Sequence, residues 1–579
     1  MPSTKVALLC LSLLLFIFQP SASLLSLASA VAPFSDYSTF PSSMIAFPRL
    51  GAPAFVLSGG AFLAYVFNLS SGTYSPAITS PFNTYSLDWS VKETSGNLTI
   101  LKLDVPLGAA KGLYNLTITQ VFASLNSPVT FEEPNSVYVS GDSYPATLNV
   151  AVFSDTHFGV GSYYDITTKI LEQTIDTLNS LRPDVVVMPG DLVDGTTDVN
   201  AFLAIREQLV KLQIPIIIAQ GNNDVVPLQR GYRFWEQYVA PDHFVTSFGD
   251  VTFFVLQSDT GDVSTDQLSW LNSSLAAAAG RKVVVLHHPY WEADTPSLKV
   301  VLPAILQQRA ADLVLMGHTH RDEMTLTPVL SIVTESLSDM PAGYRWITIS
   351  SSGIAYTDAS VPFDQVSTLY LQRNDFSSTG GAVHIKNGGP SDLNLTLLLK
   401  LKNPDQSQPT LQGCALSRMA TYGASGAYVE VTVHAPPGFD GLASVFFKPD
   451  ESPPSVVMSG SFSGSTLTLL PAYSDVGLGV VGLNVFYSTD NSTWSSLSES
   501  VENRVEAYRL PGAPDTVYIK AVAQDAAGHS TTTYQTFSKS PSNLPPSSGP
   551  ADNTLLLVTS VVVVLMLLAL GILRTMRRK

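Results

Sequence analysis

Leu148-Asn149-Val150-Ala151-Val152-Phe153-Ser154-Asp155-Thr156-His157 is an apolar run that ends in a polar cluster, and the same construction recurs four times downstream. Residues 185–188 lead into Gly190-Asp191-Leu192-Val193-Asp194, residues 214–218 into Gly221-Asn222-Asn223-Asp224, residues 283–286 into His287-His288-Pro289, and residues 313–316 into Gly317-His318-Thr319-His320. Stretches of helical pattern at 165–181 and 199–212 separate the first runs. Short apolar strands alternating with helices predict an α/β layer domain whose sheet is buried on both faces. Ligands of such sheets bind beyond the carboxyl ends of the strands, so five clusters at five strand ends can meet at one place.

The donors in these clusters are carboxylate, imidazole and amide, with no thiolate, which suits Zn, Mn, Fe or Co. Asp155, His157, Asp191, Asn222, His287, His318 and His320 exceed the four ligands one tetrahedral ion takes. They suit two ions sharing a bridging carboxylate. Five of the nine histidines belong to these clusters; His243, His384, His434 and His529 stand apart and read as structural. Tyr290 and Trp291 either line a substrate pocket or pack the loop, and Asp259 and Asp262 either approach the site or act as turn acceptors.

In this order, Asp-x-His, Gly-Asp-x-x-Asp, Gly-Asn-x-Asp, His-x-Pro and Gly-His-x-His resemble the calcineurin-like metallophosphoesterase superfamily over about residues 148–350. The resemblance implies a four-layer α/β/β/α sandwich and a dinuclear site. Asp155, His157 and His320 would hold one metal, Asn222, His287 and His318 the other, and Asp191 would bridge them, the ions being divalent or mixed-valence Mn, Fe or Zn. His287 is preferred to His288 because the family ligand lies two residues before the Pro. Asp194 is expected to accept from His157 rather than to ligate, and it stands where purple acid phosphatases carry a Tyr ligand. The family's third motif carries a His thought to act as acid or transition-state stabiliser, and here that position is Asn223. An amide donates a hydrogen bond but is no general acid near neutral pH. His288 is the candidate substitute, so the residues expected to take part in catalysis are Asp191, Asn222, Asn223 and His288. The implied reaction is hydrolysis of phosphodiesters, or of phosphomonoesters, by a metal-activated hydroxide attacking in line with the leaving alcohol. Somewhat greater likeness to the phosphodiesterase branch comes from the stretch at 254–259 through 267–271.

The expected architecture is multidomain, the α/β domain at 147–355 flanked by all-β sandwiches. At 31–146, short alternating runs broken by Gly, Pro, Ser and Asn predict a β sandwich resembling the immunoglobulin-like domains that precede many secreted phosphoesterases. A β-rich segment is expected at 356–450 and an immunoglobulin- or fibronectin-like module at 451–537. Residues 1–30 carry Lys5, an apolar stretch and a small-residue ending, which reads as a secretory signal or an uncleaved anchor. The uncharged apolar segment at 554–573 is long enough for a transmembrane helix, residues 538–553 read as a Pro/Ser stalk, and the basic tail at 574–579 is expected to stay cytoplasmic.

These features predict a membrane-anchored protein facing outward, with Cys414 alone in the mature chain and six Asn-x-Ser/Thr sequons compatible with glycosylation. The net charge of −16 with only 13% charged residues excludes the basic face of a general nucleic-acid binder. The expected partners are a small-molecule or envelope-derived phosphate ester and the membrane. The alternative function is a surface structural or binding protein whose metal site is vestigial, a reading prompted by the β modules and Asn223.

Overall fold

The computed structural model describes residues 45–538 except 68–72, 122–127, 160–163, 196–198, 226–229, 339–341, 358–360, 363–365, 371–377, 450, 464–465, 476–479, 499–505, 511–513 and 526. The expected signal, the stalk beyond Ser538, the apolar span and the basic tail lie outside the described residues. Among the described residues no helix is long and apolar enough to cross a membrane.

The α/β domain runs β1 (Thr147–Val152), α1 (Tyr164–Leu181), β2 (Val185–Met188), α2 (Val199–Leu209), β3 (Ile216–Ile218), α3 (Arg230–Tyr238), β4 (Phe244–Phe248), β5 (Val251–Val255), α4 (Thr265–Ala277), β6 (Arg281–Val285), α5 (Leu302–Gln308), β7 (Leu313–Met316), β8 (Glu323–Thr325), β9 (Ser331–Val333), β10 (Gly343–Ser350) and β11 (Gly353–Tyr356). Two six-stranded sheets result. One is ordered β3-β2-β1-β10-β11, with residues 361–362 paired to β10; the other is β4-β5-β6-β7-β9-β8. The strands β1 to β3 are mutually parallel, as are β5, β6 and β7, because each helical crossover returns the chain in the same direction, and β9 joins them in parallel after the chain turns back through β8.

Alternate residues of the second sheet divide between two cores. Phe253, Val283, Val285, Leu313 and Leu315 join β1 and β2 in one cluster. Phe254, Val284, Leu286, Val314 and Met316 pack with Leu268, Leu271 and Leu275 of α4 and Leu302 and Leu306 of α5. Leu171, Ile175 and Leu178 of α1 and Phe202, Ile205 and Leu209 of α2 pack into the first cluster, their spacing defining one helix face. This is the expected arrangement of two sheets with helices against them.

Ahead of this domain, strands at 45–47, 61–67, 88–95 and 98–104 form one sheet and those at 54–56, 73–79, 84–86, 112–121 and 129–139 a second. Their core is continuous with that of the α/β domain: Phe55 stacks on Phe248 at 4.5 Å between ring centroids. Arg49 and Arg206 converge on the buried Glu133 at 3.4 and 3.1 Å. Beyond it, a four-stranded sheet (366–370, 380–387, 440–446, 410–412) and a three-stranded sheet (393–402, 426–435, 415–422) pack into a second β unit, with the expected turn at Pro436, whose carbonyl accepts from Phe439 N at 2.9 Å. The described residues through Pro454 belong to one compact unit. A separate unit, built mainly from 455–473 and 482–523 onward, contains sheets of three and four strands.

One carboxyl in α3 gives the fold a pH dependence. Burial first, and Asp242 second, push Glu236 from 4.5 up to about 8, with Arg49 pulling the other way. The folded state thus keeps a proton the unfolded chain has lost. This contribution to stability is fully present below about pH 4.5 and disappears as pH rises through about 8. Glu236→Gln is therefore expected to raise the thermal midpoint at alkaline pH and leave it unchanged near pH 4. Equal shifts at both pH values would remove Glu236 as the cause.

Candidate metal centre

The five polar clusters follow the carboxyl ends of β1, β2, β3, β6 and β7, and the fold brings all five together. Sharp turns are needed to aim the side chains back over the strand ends. Asp155, His157, Asp191, His318 and His320 accordingly all have positive φ, between 42° and 76°, a left-handed backbone that L residues adopt at a cost. Two glycines make room: a Cβ on Gly221 would collide with the Asp191 carboxylate and backbone, and one on Gly317 with Ser154 and the Asp155 carboxylate.

Two groups of donor atoms face each other. On one side stand Asp155, His157 and His320, with His157 Nε2 and His320 Nε2 3.0 Å apart and His320 Nε2 3.5 Å from Asp155 Oδ1. On the other stand His287, His288 and His318. His287 Nε2 lies 3.0 Å from Asn222 Oδ1 and 3.2 Å from Asp191 Oδ2. Asp191 Oδ2 is also 3.8 Å from His157 Nε2, so one carboxylate oxygen lies between both groups. Asp155, Asp191 and His287 are at most 1% exposed.

The donors are held in place from behind. His157 Nδ1 is 3.2 Å from Asp194 Oδ1, the orienting contact expected of that residue. His287 Nδ1 donates to the Pro189 carbonyl at 2.8 Å, which turns Nε2 toward Asp191 and Asn222. Both Asp155 oxygens accept from His318 N, and the Ser258 hydroxyl accepts from the backbone of His287 and His288, each at 3.1 Å. Asp224 is buried and accepts from Val193 N at 3.0 Å and Gly221 N at 2.9 Å, tying the β2 and β3 loops together. Sequence reasoning assigned no role to Asp224 or Ser258. The final Asp of the Gly-Asn-x-Asp pattern could have signalled the first; nothing around Ser258 signals the second.

Asn223 faces the carboxylate. Its backbone N and its side-chain Nδ2 donate to Asp191 Oδ1 and Oδ2, both at 2.8 Å. His288 packs its ring against His318, centroids 4.0 Å apart. Tyr290 is buried, its hydroxyl 3.0 Å from Ser331 Oγ, and Trp291 packs beside it, so these two rings stabilise the loop. Asp262 accepts from Val263 N, the turn role. His243, His384, His434 and His529 meet Asp242, Asp440, Asn394 and Asp525, and His243 also packs edge-on against Trp270.

The electrostatics suit cations. Burial raises the proton affinity of Asp191, yet His287 and the Asn223 hydrogen bonds outweigh it and hold the carboxyl well below the usual range. Burial disfavours charge on His287, but Asp191 and Asp155 hold its imidazole up to about 9. Burial, then His287 and His318, press His288 down to about 3, and burial with Asp191 pushes the Asp224 carboxyl up. Positive charge, as a proton on His287 or as a metal ion in its place, is thus stabilised among the carboxylates. The donor set fits metal ions.

The calcineurin-like phosphoesterase family profile matches residues 148–322. A Rhodococcus erythropolis protein named "Probable cyclic nucleotide phosphodiesterase" is 32% identical over 211 residues, which are 31% of this chain and 68% of that protein. The chain belongs to the calcineurin-like phosphoesterases. This is a family of metal-dependent hydrolases, and the calcineurin-like motif residues named above are the ones the fold gathers. A Fibrobacter succinogenes protein similarly named as a cyclic nucleotide phosphodiesterase is 29% identical over 150 residues, and the chain spans 57% of its length, with 24% of this chain aligned. A purple acid phosphatase from yellow lupin seeds aligns at 11% identity and a TM-score of 0.34, covering 57% of this chain and 70% of that one.

Since Asn223 grips Asp191 through two donors, Asn223→Ala is expected to raise the metal concentration needed for half-maximal activity by about 10- to 100-fold. A metal titration of the variant checks this; an unchanged midpoint would leave Asn223 with no orienting role.

Proposed function

We propose that this calcineurin-like phosphoesterase is a dinuclear-metal phosphodiester hydrolase that is anchored in a membrane and works outside the cytoplasm. The observation that carries the dinuclear reading is the position of Asp191 Oδ2, 3.2 Å from His287 Nε2 and 3.8 Å from His157 Nε2, between two donor groups. Asp155, His157 and His320 would hold one ion and Asn222, His287 and His318 the other, with Asp191 shared. When bound, two divalent or mixed-valence ions, Mn, Fe or Zn, supply charge to the phosphoryl oxygens and acidify a water.

The chain's own residues prepare that chemistry. Asp194 and the Pro189 carbonyl engage Nδ1 of His157 and His287, so that in each ring Nε2 is the nitrogen that would hold a metal ion. Asn223 and Asn222 keep Asp191 and His287 in register. No acid stands at position 223 to protonate a departing alkoxide, and the neighbouring His288, pressed down to about 3 by burial and by His287 and His318, is uncharged near neutral pH and does not replace it. Substrates whose leaving groups need little protonation should therefore react fastest.

The names of the Rhodococcus and Fibrobacter relatives favour diesters over monoesters. The test is hydrolysis of bis-p-nitrophenyl phosphate and p-nitrophenyl phosphate with Mn or Zn added. Faster turnover of the diester is expected; turnover of the monoester alone would reassign the substrate class. If neither ester is cleaved, the second reading, a binding protein with a vestigial site, takes over, and Asn223 in place of the family's His is the feature that favours it. The outward placement rests on the N-terminal apolar segment and the C-terminal apolar span with its basic tail. Protease added to intact cells should then digest the phosphoesterase domain, and full protection would overturn the placement.

A further inference from the structure

The parallel strands have two ends, and only the carboxyl ends are used by the metal centre. At the other end, the segments that lead into β2 (Pro183, Asp184) and β3 (Gln213 to Pro215) line a cleft of ≈ 950 Å³. Its remaining walls come from the N-terminal sandwich, including Phe82 and Tyr114, and from the β unit at 366–446, including Lys400 and Tyr428. All three belong to the same compact unit. The volume lies within the range of small-molecule sites.

The walls are fastened to one another. Arg418 places its guanidinium 4.0 Å from the centre of the Phe82 ring and holds Glu430 through two hydrogen bonds of 3.0 and 2.9 Å. Arg182, at the end of α1, reaches Glu430 at 3.5 Å. These contacts link the sandwich, the α/β domain and the second β unit around the opening, so its shape is built rather than left over.

Charge in the cleft is divided. Lys400 is half-buried, with its Nζ 6.0 Å from the centre of the Tyr428 ring, and among the described residues it makes no ion pair. Its neighbour Lys211 is already held by Glu172 at 3.1 Å and Gln208 at 2.6 Å. Burial, and then Lys211, lower the proton affinity of Lys400. The carboxyl groups of Asp176 and Asp184 also line the cleft, both pushed up by burial. Such groups exchange hydrogen bonds with hydroxyls. Thr396 adds a hydroxyl to the lining.

We propose that this cleft is a second binding site, distinct from the metal centre, for a small acidic sugar whose carboxylate or sulfate pairs with Lys400 and whose ring lies against Tyr428. An uncompensated ammonium calls for an anion, an aromatic face suits the apolar side of a sugar ring, and the carboxyl and hydroxyl wall suits its hydroxyls. Such a site would hold the enzyme on an acidic polysaccharide while the metal centre works at the opposite end of the sheet.

The experiment is calorimetric titration of the full-length protein with glucuronate, glucose 6-sulfate and, as the neutral control, glucose; none of these is a phosphate ester. Saturable binding of the two acids and not of glucose is expected. Lys400→Gln should weaken it about tenfold or more, by loss of a charge-assisted contact, while Lys400→Arg retains it. Thr396→Trp, which fills the cleft without altering charge, should abolish it, and His318→Ala, in the metal centre, should leave it intact. The proposal is overturned by an absence of saturable binding up to about 10 mM, where even a millimolar site would be mostly filled. Equal binding of glucose, binding unaffected by both cleft substitutions, or binding lost in His318→Ala would overturn it equally.

Discussion

Replacing Asp191 by Asn is expected to lower diester hydrolysis by about 1,000-fold or more and to reduce the metal retained after dialysis, because the change removes the one negative charge shared by both donor groups. The geometry makes this substitution harsher than its small change in shape suggests. Both carboxylate oxygens already accept hydrogen bonds from Asn223, one from the backbone N and one from Nδ2, each at 2.8 Å. An amide at position 191 must turn its own NH₂ toward one of these donors. With its NH₂ toward Asn223 N, donor faces donor in a buried place, where an unmade hydrogen bond costs about 1–3 kcal/mol; with its NH₂ toward the Asn223 side chain, that amide must flip to present Oδ1. The amide would therefore rotate or shift away from His157 and His287. Metal analysis of dialysed protein and the rate on bis-p-nitrophenyl phosphate check the two halves separately. Wild-type values for both would end the central role given to Asp191.

The second large effect concerns stability. Glu133→Leu is expected to cost about 3–5 kcal/mol, the usual result of removing one partner from a buried ion network. Glu133 is 3% exposed and accepts from Leu50 N at 2.9 Å, from Arg206 through both oxygens at 3.1 Å, and faces Arg49 Nη1 at 3.4 Å. Arg49 is itself 2% exposed and also donates to the carbonyls of Ile45 and Gln237. Leucine would leave two guanidinium groups without a carboxylate at the seam between the N-terminal sandwich and the α/β domain. The thermal midpoint should fall sharply. Replacing all three charges by Leu and Met should recover much of the loss, since the network's benefit barely exceeds its desolvation cost. A Glu133→Leu midpoint equal to that of the wild type would show the seam is held by Phe55, Phe248 and their apolar neighbours alone.

How far these features could be read from the chain differs by residue. Strands such as Val185–Met188 and Leu313–Met316 are uninterrupted apolar runs, and they form where the pattern places them. Helix ends shift by a few residues, as with α2, which stops at Leu209 rather than 212, since fraying at helix ends is weakly encoded. The joint core of the first two β and α/β segments was not legible. Phe55 and Phe248 are separated by nearly two hundred residues, and nothing in either local pattern says that they stack.

By itself, the sequence determined the alternation of strands and helices, the donors at the strand ends and membership of the metallophosphoesterases, because these depend on residue type and on spacing along the chain. Only the tertiary structure decided that Asn223 turns its amide onto Asp191, that Tyr290 serves the core, that Asp224 staples two loops, and that three segments enclose a cleft at the far end of the sheet. The physical reason is that each of those facts is a distance between residues remote in the chain, set by how the two sheets and their neighbours pack, and local pattern carries no record of it.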